Sequence, residues 1–246
     1  TADVSEALEY LITNDILPHV SPFAKHDHDV FRREQLYSEE TEISILKYER
    51  SLRELYRRYS ASDSDNAAAS KASNMSLAEW HRMLRDAALI DNGFTKRESN
   101  LCFFYSLCFV TDEVKRRQKL VHLTFVDFLE AIGRIAVFKP LPSKKDYQDI
   151  ERLTGEKPVS CAHFFDLLWQ NGGDAAITQF NDTRSLDWRI EETAEGRPLP
   201  ETIELVIQLL IGRIDRDGDG KITKRDWKLR RPDMQDGGAK EAAAAQ

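Results

Sequence analysis

Long hydrophobic runs are missing from this chain. None approaches the roughly 20 consecutive apolar residues that a membrane-spanning helix requires, and 31 % of the residues are charged, so no membrane span is expected. Cysteine is scarce. Cys102, Cys108 and Cys161 are the only three, none stands in a CxxC or CxxH spacing, and their odd number argues against a disulfide framework. They read as buried thiols of a reducing compartment. Methionine is equally rare, at Met75, Met83 and Met234, so the adaptable Met-rich groove of promiscuous target binders is not encoded. Positive charge is not in excess either. A net charge of −7 argues against a general nucleic-acid partner. The chain has no phosphate loop, nucleophile elbow, HExxH or carboxylate pair in a catalytic context, so no enzyme is expected. It carries no secretory leader pattern, which points to the cytoplasm, and it opens at Thr1 rather than methionine, so upstream sequence is expected.

What is present is concentrated near the end. In Asp215-Arg-Asp217-Gly-Asp219-Gly220-Lys221-Ile222-Thr223-Lys-Arg-Asp226, oxygen ligands fall at loop positions 1, 3 and 5. A glycine follows at 6, an apolar residue at 8, a hydroxyl at 9 and a carboxylate at 12. A hard divalent cation needs several oxygens from one short segment, and alternate aspartates supply three. Gly220 permits the turn that brings the Lys221 carbonyl inward. The expected ligands are therefore Asp215, Asp217, Asp219, Lys221 through its carbonyl, Thr223 and Asp226. Before the loop, Ile207, Leu210, Ile211 and Ile214 form one helical stripe, with Glu201 in the first turn and Pro198 and Pro200 at its start. Strong calcium loops carry glutamate at position 12. The shorter Asp226 predicts weaker Ca²⁺ binding and a site that Mg²⁺ also enters. The exiting helix is truncated, since Arg230, Arg231 and Pro232 follow Trp227 and Leu229.

The second half of this unit recurs. Ile222-Thr223-x-x-Asp226-Trp227 has counterparts in Met75-Ser76-x-x-Glu79-Trp80 and Leu123-Thr124-x-x-Asp127-Phe128. A weaker copy is Val159-Ser160-x-x-His163-Phe164. Each sets a helix-capping hydroxyl three residues before a side chain that can answer it. Apolar residues continue below each: Met83 and Leu84, then Ala131, Ile132 and Ile135, then Leu167 and Leu168. Entering helices are predicted with inner faces Leu52/Leu55/Tyr56/Tyr59, Leu101/Phe104/Tyr105/Cys108 after a Thr95–Glu98 cap, and Tyr147/Ile150/Leu153. The intervening loops do not suit a cation. The first is overlong and rich in Ser, Ala, Asp and Asn, the second carries Lys115, Arg116, Arg117 and Lys119, and the third is short and contains Lys157 and Pro158. Four helix-loop-helix units with one metal site are expected.

These motifs resemble the EF-hand (calmodulin-like) superfamily, strongly over residues 201–229, less over 43–137 and least over 145–170. The resemblance implies an all-α fold of two lobes, each a pair of mostly degenerate EF-hands joined by a short β contact between loops, Met75 with Leu123 and Val159 with Ile222. The phrase Leu123-Thr-Phe-Val-Asp-Phe-Leu-Glu-Ala-Ile-Gly-Arg-Ile-Ala136 is also similar to phrases in large EF-hand proteins of protist cilia and flagella.

The organisation expected is a leading helix and linker at 1–38, with Leu8, Leu11, Ile12 and Ile16 on one stripe. A degenerate pair at 39–138 opens with one helix from Glu39 to Tyr59. A hinge at 139–146, a second pair at 147–232 with a long insert at 171–200, and a tail at 233–246 follow. In the insert, Asn171-Gly-Gly ends a helix and Trp188 and Ile190 dock as a strap. Two functions are carried forward. One is a non-enzymatic calcium-binding structural component that engages protein partners, an amphipathic helix or the ciliary and flagellar (axonemal, microtubule-associated) cytoskeleton. The other is a calcium sensor acting through the C-terminal lobe, or a regulatory segment of a larger protein.

Overall fold

The structure is a computed structural model that describes residues 3–19, 28–60, 74–108, 112, 114–115, 117–184 and 197–227. It is all-α apart from one two-residue ladder. The elements are α1 (Val4–Tyr10, continued as a π-helical segment Leu11–Ile16), α2 (His28–Phe31, continued likewise over Arg32–Leu36), α3 (Glu39–Leu46) and α4 (Glu49–Ser60). Then come β1 (Met75–Ser76), α5 (Leu77–Asp86), α6 (Lys96–Ser106), α7 (Arg117–Val121), β2 (His122–Leu123) and α8 (Phe125–Phe138). The chain closes with α9 (Lys144–Thr154), α10 (Cys161–Thr183) and α11 (Leu199–Ile214). Among the described residues no helix is long and apolar enough to cross a membrane.

Local capping sets most helix starts. Ser76, Thr95, Thr124 and Ser143 each form a capping box with the acid three residues on, Glu79, Glu98, Asp127 and Asp146. Each box satisfies two amides that a helix start would otherwise leave unpaired. Ser160 accepts from the His163 N–H, and His163 Nδ1 accepts from the Val159 N–H at 3.3 Å, one residue before the cap amide that the acids take in the boxes. Between the first two repeats, β1 and β2 run antiparallel with Met75 opposite Leu123, the contact expected from the sequence.

The expected contact between Val159 and Ile222 is not formed. Val159 is 86 % exposed, whereas Ile222 is buried and donates its N–H to Ser51 Oγ on α4 at 3.1 Å. The loop that ends α11 therefore rests on the N-terminal half of the chain. A second difference lies in α6. Its buried residues are Ser99, Cys102, Phe103 and Ser106, while Phe104 and Cys108 are exposed. The helix is rotated about one residue from the apolar stripe because Ser99 accepts from the Trp80 indole N–H, through its carbonyl at 3.2 Å and its hydroxyl at 3.1 Å. A buried indole donor must find an acceptor, and here it draws a polar residue inward.

A third difference is that the helix expected from Glu39 to Tyr59 is broken. The Tyr48 N–H turns back to the Ile45 carbonyl at 3.0 Å, separating α3 from α4. The break lets α3 lie along α11 while α4 packs on α5. Ser44 Oγ and Lys47 Nζ reach Glu204 of α11, and Tyr48 Oη accepts from Gln208 Nε2. Asn171-Gly172-Gly173 does end a helical stretch, as expected, but a second stretch of α10 follows it directly. Gly173 takes φ 61°, and helix resumes to Thr183. That second stretch buries Phe180 against Phe164 and Phe165, and Asn181 donates to Asn92 Oδ1 at 2.8 Å. Trp188 and Ile190 lie outside the described residues, as do the overlong insertion at 61–73 and the tail after Trp227.

One hydrophobic core joins the helices from α2 to α11, without α1 and α7, and runs from Leu52, Leu55 and Trp80 through Phe128 and Ile135 to Ile203, Ile207 and Ile214. Helix α11 lies at its centre, against α8, α10 and α3. Full burial of a large aliphatic side chain contributes about 1.5–3 kcal/mol, so an almost wholly apolar inner face is what allows α11 to take that place. The segment 139–146, expected as a hinge, starts buried. Lys139 donates to the Leu89 carbonyl and pairs with Asp91 at 2.7 Å, and Arg197 donates to the carbonyls of Leu141 and Pro142. On the other side, Glu130 of α8 accepts from Arg134 at 2.7 Å and from Arg32 at 2.8 Å. That buried pair latches the α2 segment, whose Phe31 and Leu36 enter the core.

Candidate metal centre

Helix α11 ends where its apolar stripe ends. The N–H of Asp215 makes the last helical bond, to the Ile211 carbonyl at 2.7 Å, and the chain then turns through Gly218 and Gly220. Both glycines take left-handed φ, 75° and 76°, which a side-chain-bearing residue adopts only at a cost.

The turn is organised by its own carboxylates. Asp215 Oδ1 accepts from the N–H of Asp217 at 3.2 Å and of Gly218 at 2.9 Å, and Asp215 Oδ2 accepts from Gly220 at 2.7 Å. Asp217 Oδ1 accepts from the Asp219 N–H, and Asp219 Oδ1 from the Lys221 N–H at 2.8 Å. Aspartate is suited to this because its short side chain reaches backbone amides two or three residues ahead. The outcome is that Asp215, Asp217 and Asp219 each bring a carboxylate oxygen within 4.8 Å of the others.

Partial burial pushes the Asp215 carboxyl above its ordinary range. The Gly220 and Gly218 amides pull it down, and the nearby charges of Asp226 and Asp219 push it up again. Like charges this close repel, by about 1 kcal/mol per pair at 4 Å in water, and a divalent cation reverses the sign of that interaction. The donors are hard oxygens with no thiolate or imidazole among them, which suits Ca²⁺ or Mg²⁺ and not a soft metal. The residues present therefore fit the group that the sequence implies.

Not every expected ligand joins the cluster. Asp226 is fully buried. Its Oδ1 accepts from the Arg216 N–H at 2.8 Å, and its Oδ2 from the Thr223 N–H at 2.7 Å and the Thr223 hydroxyl at 3.2 Å. Burial alone would raise this carboxyl, but the amides of Arg216, Thr223 and Asp217 outweigh it and hold the group below the usual aspartate range. Asp226 thus ties the last loop position to the second. Thr223 serves the same latch, its hydroxyl donating to Asp226 and accepting from the Arg225 N–H at 3.1 Å. Lys221 is exposed and contributes its N–H to Asp219.

The loop is also fastened from outside. Beside the Ile222–Ser51 bond, the Trp227 ring meets Tyr59 edge-on at 6.2 Å, and the Arg58 guanidinium lies over it at 5.6 Å. Ser51 was not identified as a site residue from the sequence. Its signal was there: a hydroxyl beside Leu52 on the inner face of an otherwise apolar helix stripe needs a polar partner. The chain matches no family model, no curated protein and no solved structure.

Proposed function

We propose that this chain is a non-enzymatic EF-hand protein that holds one divalent cation, Ca²⁺ with Mg²⁺ competing, in the loop Asp215–Asp226. In this reading it acts as a structural and interaction component. Asp215, Asp217 and Asp219 would hold the ion, with the Lys221 carbonyl completing the set, and the ion would neutralise their mutual repulsion. The Met75–Leu123 ladder, with its paired capping boxes, is read as the loop contact of a degenerate EF-hand pair.

The observation that carries the structural role is that the loop is already latched. In a sensor, the last ligand moves onto the ion and draws the exiting helix with it. Here Asp226 is buried and bonded to Arg216 and Thr223, and Ile222 is bonded to Ser51. These bonds support an ion that rigidifies a docked loop over one that opens a groove. The phrase Leu123–Ala136 extends the proposal to a ciliary or flagellar cytoskeletal assembly as the setting and to protein partners within it.

Calorimetric calcium titration of the whole chain, with millimolar magnesium present, tests the reading. One binding event is expected, lost in Asp215→Ala, with little change in far-ultraviolet circular dichroism or in exposed apolar surface. Binding that survives Asp215→Ala removes the site. A large calcium-dependent gain of dye-accessible apolar surface favours the sensor.

A further inference from the structure

Helix α1 and its continuation through Ile16 stand apart from the core. No residue from Val4 to Ile16 is buried. Yet Leu8, Leu11, Ile12 and Ile16 form one stripe, and they remain 54, 46, 40 and 44 % exposed. An aligned stripe of large aliphatics left open marks a contact surface. The segment is also acidic without exception, with Asp3, Glu6, Glu9 and Asp15 and no lysine or arginine between residues 3 and 17. Its complement is therefore an apolar cleft with a cationic rim.

Such a cleft exists on this chain. Between α3, α9 and α11 lies a depression of about 540 Å³ whose lining includes Pro142, Tyr147, Pro200 and Leu205. Lys144 and Lys145, both exposed, and the half-buried Arg197 also line it. Of its two acids, Glu204 is already paired with Lys47 and accepts from Ser44, which leaves Glu201 against three cations. Charge and polarity both match α1. The chain's own α1 buries no residue and none of its residues lines the cleft, so the occupant comes from elsewhere.

We propose that the cleft between α3, α9 and α11 receives the apolar stripe of α1 from a second copy of this chain, with the acids of α1 facing Lys144, Lys145 and Arg197. Exchanged reciprocally, the contact is made twice around a two-fold axis and closes as a dimer. Opposite charge across the rim makes the association weaken with salt.

Sedimentation velocity over a concentration series tests this on the full chain. A reversible dimer that loosens with added salt is expected. Leu11→Asp alters only an exposed side chain, so the fold is retained, and it is expected to weaken dimerisation about tenfold to a hundredfold. The double reversal Lys144→Glu with Lys145→Glu should weaken it comparably, and adding Glu6→Lys with Glu9→Lys should restore it. A chain that stays monomeric at every concentration overturns the proposal. So does a dimer indifferent to Leu11→Asp or to the rim reversal, which would place the contact elsewhere.

Discussion

Replacing Asp226 by asparagine distinguishes a latch from a ligand by the sign of a stability change measured without any ion. The two side chains have nearly the same shape, so packing is preserved. The carboxylate accepts from the Arg216 N–H at 2.8 Å, the Thr223 N–H at 2.7 Å and the Thr223 hydroxyl at 3.2 Å, and it is fully buried. Asparagine keeps one carbonyl oxygen and turns an NH₂ toward a donor on the other side. At least one hydrogen bond to a charged acceptor is lost, a net cost of about 1.5–3 kcal/mol. Against this, removing the charge relieves repulsion with Asp215, a gain of about 1 kcal/mol at most, because Asp215 is partly exposed and Asp226 does not join the Asp215–Asp217–Asp219 cluster. The loss wins, leaving the variant about 1–2 kcal/mol less stable in excess chelator.

Urea unfolding followed by tryptophan fluorescence reads this directly. With a slope of about 1–3 kcal/mol per molar urea, the midpoint falls by roughly 0.3–2 M. The pH dependence provides a second readout. Because the folded-state carboxyl of Asp226 titrates below its unfolded value, its contribution is fully present above the ordinary aspartate pKa of about 3.9 and is lost as pH falls through the folded pKa. The difference between wild type and variant should shrink at acid pH and be constant near neutrality. If Asp226→Asn is as stable as wild type in chelator, or more so, Asp226 is a repelled ligand and the latch is refuted.

Ser51→Ala should destabilise the chain by about 1–3 kcal/mol, because the buried Ile222 N–H loses its acceptor, and the same urea titration measures it. The Trp227 environment should change with it, and an unaltered emission maximum would mean that the loop does not depend on α4. Glu130→Ala leaves the Arg134 and Arg32 guanidinium groups without their buried partner, and a loss of about 3–5 kcal/mol is expected by thermal or chemical unfolding. Limited proteolysis in that variant should cut first around residues 28–37, since Arg32 is the polar tie of that segment to α8; unchanged resistance there would disprove the tie.

How far the sequence could be read depended on the range of the interactions involved. The turn that gathers Asp215, Asp217 and Asp219, the capping boxes at Ser76, Thr95 and Thr124, and the Met75–Leu123 register were legible because each rests on residues within a few positions of one another, or on a short pattern repeated twice. Chain geometry makes such partners meet whatever the rest of the molecule does. The inner faces of α4 and α11 were legible for a related reason. Leu52, Leu55, Ile207 and Ile214 recur at the helical period, and burying them is the dominant favourable term. The face of α6 was not legible, because the Trp80 indole needed an acceptor and Ser99 supplied it. Periodicity counts apolar residues and has no term for one buried donor.

Tertiary structure alone decided what the loop rests on and what its last residue does. The sequence expected Ile222 to pair with Val159, the nearest apolar candidate in the repeat. The fold sets it against Ser51, which comes 171 residues earlier in the chain. Hydrophobic burial is non-directional, so a periodic stripe specifies that a surface will be covered without specifying what covers it. Asp226 stands at a ligand position by spacing, yet the amides that surround it are presented by the folded turn. A carboxylate within reach of three donors is held by them, and that is a property of the assembled loop rather than of the residue.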